Sequence, residues 1–299
     1  MKSVCQICKS EEINSSEIDG YWFCKDCHAT WLIHQPRVSY NKNYYKSGSN
    51  FAATLFSPIA YGLYLLRQLY VGFTMKNLWI DVGAGDGGFL KTTRASRKIG
   101  VEVSVAGRKT MEEKGLETMT ETKFLKTKGL KADVISFWHV LEHTKHPWKL
   151  LVAAEKNLSF GGKVVVGIPN VDSLEFAWFG RRWFHFQYPF HFWHLSPKSI
   201  SKLLKNSGFR VEKIDYWSPE HHLAGVLQSF INRFADNENV LQKILKRKNQ
   251  GVALTGKDVF WSLFWLTVGF PIVILYWVLG SVLHKSGTIV IVAVKKKRG

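Results

Sequence analysis

The apolar positions of this chain alternate between two periods over its middle two thirds. Asn77 to Val82 (Asn-Leu-Trp-Ile-Asp-Val) reads as a buried strand, and the glycines of Gly83-Ala-Gly85-Asp-Gly87-Gly88 turn it into a helical pattern from Phe89 to Lys98. The rhythm then repeats: a strand from Val101 to Val105, a short helix from Lys109 to Lys114, and a strand from Asp133 to Trp138. A helix from His146 to Leu158 and a strand from Lys163 to Ile168 follow, then a helix from Ser196 to Ser207, begun by Ser-Pro and ended at Gly208, and a strand from Phe209 to Tyr216. Strands alternating with helices predict an α/β fold with a doubly wound, mainly parallel Rossmann-like sheet.

The flanks follow other patterns. Between Phe51 and Phe73 the residues Phe56, Ile59, Leu63, Leu66 and Tyr70 recur at three- and four-residue steps, with Arg67 and Gln68 interrupting, as in an amphipathic helix. His222 to Lys248 reads as a basic amphipathic helical region. Phe260 to Leu283 carries no charge, and as one straight helix it would be about 36 Å long, enough to cross a bilayer. Thr288 to Val294 then reads as a strand, which a single crossing would leave on the far side of the membrane. Pro271, next to Gly269, divides the run into halves of about 16 Å, so a hydrophobic helical hairpin lying in or against one membrane face is expected. The organisation predicted is a small N-terminal module over 1–36, a linker and amphipathic helix over 37–75, the α/β core over 76–219, a basic helical insertion over 220–258, the membrane-associated hairpin over 259–284, and a final sheet strand with a basic tail over 285–299.

Charge and cysteine narrow the classes. Lysine and arginine number 41 against 23 acidic residues, a net +18, so anionic partners are expected: a phosphate-bearing substrate, nucleic acid or an acidic membrane surface. Lys243, Lys246, Arg247 and Lys248 before the hairpin, and Lys295 to Arg298 after it, suit an anionic cytoplasmic leaflet. All four cysteines sit in the first 27 residues, and no apolar run at the N-terminus forms a secretory signal, which places the protein on the cytosolic side. Cys5-x2-Cys8 and Cys24-x2-Cys27 have the spacing at which two tight turns present four thiolates to one zinc ion, in a small zinc ribbon. Four thiolates leave no open position, so the zinc is structural and His28 is a neighbour.

In the glycine loop, Gly83, Gly85 and Gly87 let the backbone approach a nucleotide-like cofactor. The Gly-x-Gly-x-x-Gly pattern alone also admits an NAD-dependent oxidoreductase. Asp81, just before the loop, suits a cationic amino-acid moiety better than a pyrophosphate, and Glu102 is placed to accept both hydroxyls of an adenosine ribose. His139-Val-Leu-Glu142-His143 matches the inverted zinc-peptidase pattern, which needs a helix where this chain has a strand running into the motif. A zinc ribbon and +18 also fit an RNA-modifying or nucleic-acid-binding protein, but the charge is spread along the chain and the ribbon lacks a basic helix. An inactive scaffold is the third alternative, and retention of Asp81, the glycines and Glu102 argues against it.

Together these segments resemble the class I S-adenosylmethionine-dependent methyltransferases. Asp81-Val-Gly-Ala-Gly-Asp-Gly-Gly-Phe-Leu looks like their cofactor motif, Gly100-Val-Glu102-Val-Ser like their ribose-binding strand end, and Asp133 to His143 like their fourth strand and its exit. Gly161 to Asn170 is similar to their fifth strand, and Pro189-Phe-His191-Phe-Trp-His194-Leu-Ser-Pro to the substrate-side segment of a bacterial subgroup, some of whose members carry an N-terminal zinc ribbon. The resemblance covers residues 76 to 218 and the last strand. The third strand, near Leu116 to Phe124, departs from the pattern: it shows no clear acidic residue for the adenine edge, and Glu121 is the candidate there.

The resemblance implies S-adenosylmethionine held by Asp81, Gly83, Gly85, Gly87 and Glu102, with His139 and Glu142 beside the sulfonium. Methyl transfer asks the protein to align the acceptor and remove its proton, for which a histidine near neutral pKa serves. His139, His143, His191 and His194 are the candidates, the last two inside an aromatic block that suggests a lid over a small, sugar or lipid-linked acceptor; Arg181 and Arg182 precede it.

Overall fold

The computed structural model describes residues 4–16, 18, 20–34, 61–218, 222–245 and 254–296. Pro36, the polar stretch from Tyr40 to Asn50, the start of the amphipathic helix and the basic residues Lys246, Arg247, Lys248 and Arg298 lie outside them.

Three short strands, β1 (Ile13–Ser15), β2 (Tyr21–Cys24) and β3 (Thr30–Leu32), form an antiparallel ribbon, and residues 61–68 form α1. The core then runs β4 (Lys76–Val82), α2 (Gly88–Thr92), β5 (Ala95–Val101), α3 (Val105–Glu113), β6 (Glu117–Met119), α4 (Glu121–Lys126), β7 (Ala132–Trp138), α5 (Pro147–Asn157), β8 (Leu158–Pro169) and α6 (Leu174–Phe179). It continues with β9 (Trp193–His194), α7 (Pro197–Asn206), β10 (Phe209–Asp215), α8 (His222–Phe234), α9 (Val240–Leu245), α10 (Gly256–Leu266), α11 (Phe270–Val282) and β11 (Thr288–Lys295). Seven strands make the main sheet in the order β10-β11-β8-β7-β4-β5-β6. It is the expected doubly wound sheet: β8-β7-β4-β5-β6 pair in parallel, and β11 is antiparallel to both its neighbours.

Trp79, Ile80 and Val82 of β4 and Val134, Ile135 and Phe137 of β7 are all but fully buried, as expected of strands covered on both faces. One expected element is shorter. The helix after the glycine loop stops at Thr92 instead of Lys98, because the Thr92 and Thr93 hydroxyls bond back to the carbonyls of Phe89 and Leu90. Residues from Ala95 onward pair with β4, so the next strand begins six residues earlier than the pattern suggested and ends at Val101, leaving Glu102 just beyond it.

The ribbon is not a detached module. β3 pairs with β9, a strand between α6 and α7 of the core, matching Thr30 with His194 and Trp31 with Trp193 to give a four-stranded sheet β1-β2-β3-β9. The Ser196 hydroxyl donates to Cys27 O at 2.8 Å, and the Asn206 amide donates to Ile7 O at 2.9 Å.

In the C-terminal region α8 turns an apolar face inward, as an amphipathic helix does: Val226, Phe230 and Ile231 are buried, Gln228 and Asn232 hydrogen-bond each other within the protein, and α8 packs against α6, α10 and α11. α10 and α11 meet at 65°. At the bend, a Cβ on Gly269 would lie 2.3 Å from the Trp265 ring, so only glycine allows the two helices to close there, and Pro271 occupies the first turn of α11. No single helix among the described residues is long and apolar enough to cross a membrane, although this bent pair meets the length and composition together. The root of the hairpin is fixed by His222, whose Nε2 lies 2.6 Å from Glu175 Oε1, an oxygen that also accepts the Gly287 N–H.

Candidate active site

One cleft of about 700 Å³ opens at the C-terminal ends of β4, β5 and β7. Its first wall is the glycine loop. Gly83 has φ +75°, and a Cβ there would lie 2.3 Å from Val140 Cγ2, so the backbone passes closer to the β7 exit than any side chain permits. The Gly85 N–H donates to Glu102 Oε2 at 2.9 Å and the Ser104 N–H to Oε1 at 2.8 Å, which fixes the carboxylate at the tip of β5. Asp81 is 4% exposed and accepts from the Ser136 hydroxyl at 2.6 Å, which in turn accepts from Trp79 Nε1. Burial pushes the Asp81 carboxyl up to about 7, against the opposing effects of the Ser136 hydrogen bond and the Arg67 charge. Glu121 also lines the cleft, its carboxyl pushed up by burial and then by Glu102.

Arg67 was not foreseen as a site residue. It and Tyr64, one helical turn apart on α1, both face the cleft, and the Arg67 guanidinium sits 4.5 Å from the Trp138 ring centroid, 5.0 Å from Tyr64 and 5.1 Å from Phe89. The sequence shows Arg67 only as an interruption of the apolar stripe; its place in the cleft comes from how α1 packs on the sheet.

The opposite wall is built from imidazoles. His139, in the left-handed region at φ +55°, leaves β7 with its N–H bonded to Gly167 O, and its Nδ1 lies 3.1 Å from Glu142 Oε1. His185, absent from the candidates drawn from sequence, stacks on His139 with centroids 5.6 Å apart, and its Nε2 lies 3.2 Å from Thr288 Oγ1. His143 and His191 complete the wall, their rings edge to face at 4.4 Å.

Of the residues singled out in the sequence, Asp81, Gly83, Gly85, Glu102, His139, His143 and His191 share this cleft. Gly87, Glu142 and His194 stand outside its wall. Gly87 faces Met111 and Leu116, and Glu142 lies beneath His139 at 1% exposure. His194 belongs to the ribbon's sheet, stacked on Phe186 at 5.2 Å and packed near Tyr21, with burial pulling its pKa down to about 3. His191 likewise does not keep a near-neutral pKa: burial first, then His143 and the other imidazoles, hold it well below the usual range. The peptidase pattern fails on geometry, since Leu141–His143 is a single 3-10 turn and not the helix that motif needs.

The four cysteines come together in the ribbon, beside the start of α7. Cys5 and Cys27 sulfurs are 3.7 Å apart, Cys8 and Cys24 sulfurs 3.5 Å, and all four lie within 4.8 Å of one another. Four sulfurs bound tetrahedrally at about 2.3 Å from one ion would be about 3.8 Å apart. The two turns have the same construction: Lys9 N–H bonds to Cys5 O and His28 N–H to Cys24 O, with Lys9 and His28 both at positive φ. His28 itself points away to Asp172, Nδ1 to Oδ2 at 3.2 Å.

A seven-stranded sheet with an antiparallel penultimate strand, a glycine loop and an acidic residue at the next strand end define the class I S-adenosylmethionine-dependent methyltransferases. Residues 61–214, just over half of the chain, match the family model described as a methyltransferase domain, and the chain belongs to that family. An uncharacterized protein of Methanocaldococcus jannaschii is 29% identical over 140 residues, spanning 45% of this chain and 65% of that protein, just under two thirds. Among solved structures, phosphoethanolamine N-methyltransferase 2 of Haemonchus contortus superposes with a TM-score of 0.52 at 15% identity, covering 87% of this chain and 59% of that one. A SAM-dependent methyltransferase of Archaeoglobus fulgidus gives 0.47 at 19% identity over 82% of this chain and all of that one.

Proposed function

We propose that this methyltransferase alkylates a small, sugar or lipid-linked acceptor at an anionic membrane face, using the glycine-loop wall for the cofactor and the histidine wall for the acceptor. The observation that carries this reading is the division of one cleft into an acidic, glycine-lined side and a side lined by imidazoles. The residues fit S-adenosylmethionine: Gly83 and Gly85 present backbone without side chains to the cleft, and Asp81 offers a buried carboxylate to an ammonium group. Glu102 accepts the ribose hydroxyls while its backbone hydrogen bonds keep it oriented. Arg67 holds the methionine carboxylate, its own charge balanced by the surrounding aromatic faces. Glu121 stands nearest the adenine side. The cofactor supplies a methyl group already activated by positive sulfur, so the chain's own task is alignment and proton removal. His139 and His191 face the acceptor, and Glu142 orients His139 from beneath.

The ribbon holds one structural zinc on Cys5, Cys8, Cys24 and Cys27, and through β3 and β9 it steadies the segment that carries His191. The hairpin lies against the membrane: Phe260, Leu263, Ile272, Leu275, Leu279 and Val282 are exposed, Val268 at the bend is 73% exposed, and Lys285 and Lys296 flank it. Calorimetry with S-adenosylmethionine on the wild type and Glu102→Ala tests the cofactor side. Sedimentation with vesicles containing anionic lipid, compared with neutral vesicles and with RNA, tests the membrane side. Equal affinity for neutral vesicles, or preference for RNA, would overturn it.

A further inference from the structure

The histidine wall also contains a set of side chains with the chemistry of metal ligands. Glu142, His143 and His191 each offer one ligand atom, and the three atoms lie within 4.8 Å of one another. His143 Nδ1 is 3.0 Å from Phe190 O. Only an N–H can bond a carbonyl, so the proton is on Nδ1 and the Nε2 lone pair is left available, the arrangement that orients metal-bound histidines. His191 is 2% exposed, and its Nδ1 has no hydrogen-bond partner, an unmet need in a buried polar atom. Glu142 is held from one side by His139 Nδ1, and its backbone carbonyl accepts the Phe192 N–H at 2.8 Å. That hydrogen bond joins the turn carrying Glu142 and His143 to the segment carrying His191, so the three donors are fixed to one another by backbone.

We propose that Glu142, His143 and His191 bind a divalent first-row transition-metal ion whose open positions face the acceptor. Two imidazoles and one carboxylate suit zinc, iron(II) or cobalt(II), and are a poor set for magnesium or calcium, which prefer all-oxygen coordination. Three protein ligands leave at least one position free, as catalytic sites do and the four-cysteine site does not. His143 and His191 line the cleft, so that position opens to the acceptor space. The site selects an acceptor with a hydroxyl group. Coordination makes that hydroxyl more acidic; its proton passes to a neighbouring imidazole and on to water, the oxygen lone pair forms the new bond to the methyl carbon, and the carbon–sulfur bond breaks with its pair on sulfur. The products are a methyl ether, S-adenosylhomocysteine and one proton. This role rests on the methyl-transfer reading of the cleft; the presence of the ion does not.

The test uses the full-length protein stripped with a chelator and titrated with Co2+. Two equivalents per chain are expected. One carries thiolate charge-transfer bands and is lost in Cys24→Ser. The other lacks them and is lost, or weakened at least about tenfold, in His143→Ala and in Glu142→Gln. His143 is partly exposed, so its variant avoids emptying the core, and circular dichroism with calorimetric S-adenosylmethionine binding shows that each variant is folded. A single equivalent that vanishes entirely in Cys24→Ser overturns the proposal. A second, thiolate-free equivalent that persists in both His143→Ala and Glu142→Gln overturns the ligand assignment. A second equivalent lost as expected in a protein that fails to bind S-adenosylmethionine supports the metal site while overturning the cofactor assignment of the cleft.

Discussion

The two walls of the cleft are made by different means. The cofactor wall is local: Asp81, Gly83, Gly85 and Glu102 lie within 22 consecutive residues, and each is fixed by the strand it ends or the turn it makes. The acceptor wall is assembled at long range, from the exit of β7, the loop before β9 and the hydroxyl of Thr288 at the start of β11, and it is braced from behind by the ribbon. A local wall depends on a few residue types that nothing else can replace. An assembled wall depends on the position of segments, and damage can reach it from far away.

The sharpest way to separate the walls is His191→Ala, which should lower turnover by about a hundredfold or more while cofactor affinity stays within about twofold. Steady-state kinetics alongside calorimetry checks this; an equal fall in both would mean that the walls are not independent. Glu102→Ala should do the reverse, weakening cofactor binding about tenfold to a hundredfold through loss of charge-assisted hydrogen bonds, with a much smaller change in the turnover of saturated enzyme.

Proton linkage gives a third test, confined to the cofactor wall. The Asp81 carboxyl titrates at about 7 in the fold against 3.8 ordinarily, so the folded protein keeps a proton there that the unfolded chain has lost. Its contribution to stability therefore falls as pH rises from about 4 to about 7. A cationic ligand favours the ionised form, so cofactor affinity should rise with pH by up to about tenfold per unit until about 7, and then level off. In Asp81→Asn the slope should disappear; binding measured from pH 5 to 8 decides it.

The assembled wall has a subtler weakness. Cys24→Ser should remove the ribbon's zinc and lower turnover by up to about tenfold, through displacement of β9 and the segment before it, with cofactor affinity unmoved. Smallest of all, Leu275→Glu on the exposed hairpin face should change the melting temperature little, within about 0.5 kcal/mol of stability, while releasing the protein from anionic vesicles.

The same contrast explains what could be read beforehand. The order of strands and helices was legible because burial on both faces leaves long apolar runs, and the glycine loop because its backbone angles and close approaches exclude other residues. Arg67 and His185 were not, since only packing brings α1 and the loop before β9 to the end of β4. His194 was misassigned by its nearness to His191. The two rings are only 6.0 Å apart, but the chain bends at Phe192 and the pairing of β9 with β3 sets His194 against Phe186 and Tyr21, while His191 stays at the cleft. The helix after the glycine loop is shorter than its pattern suggests because Thr92 and Thr93 cap it and the residues from Ala95 onward pair with β4.

The place of β11 has a consequence for how the protein is made. It is the last strand of the chain, yet it lies between β8 and β10, with residues Thr288 to Ala293 fully buried. Until those residues leave the ribosome, β10 has no partner in the sheet and β8 presents an open edge. The hairpin of α10 and α11 emerges before that strand and is free to meet a membrane first. Closure of the catalytic sheet therefore follows the hairpin in time, and an enzyme whose hairpin has gone astray during synthesis would never acquire the strand that supplies Thr288 to its active site.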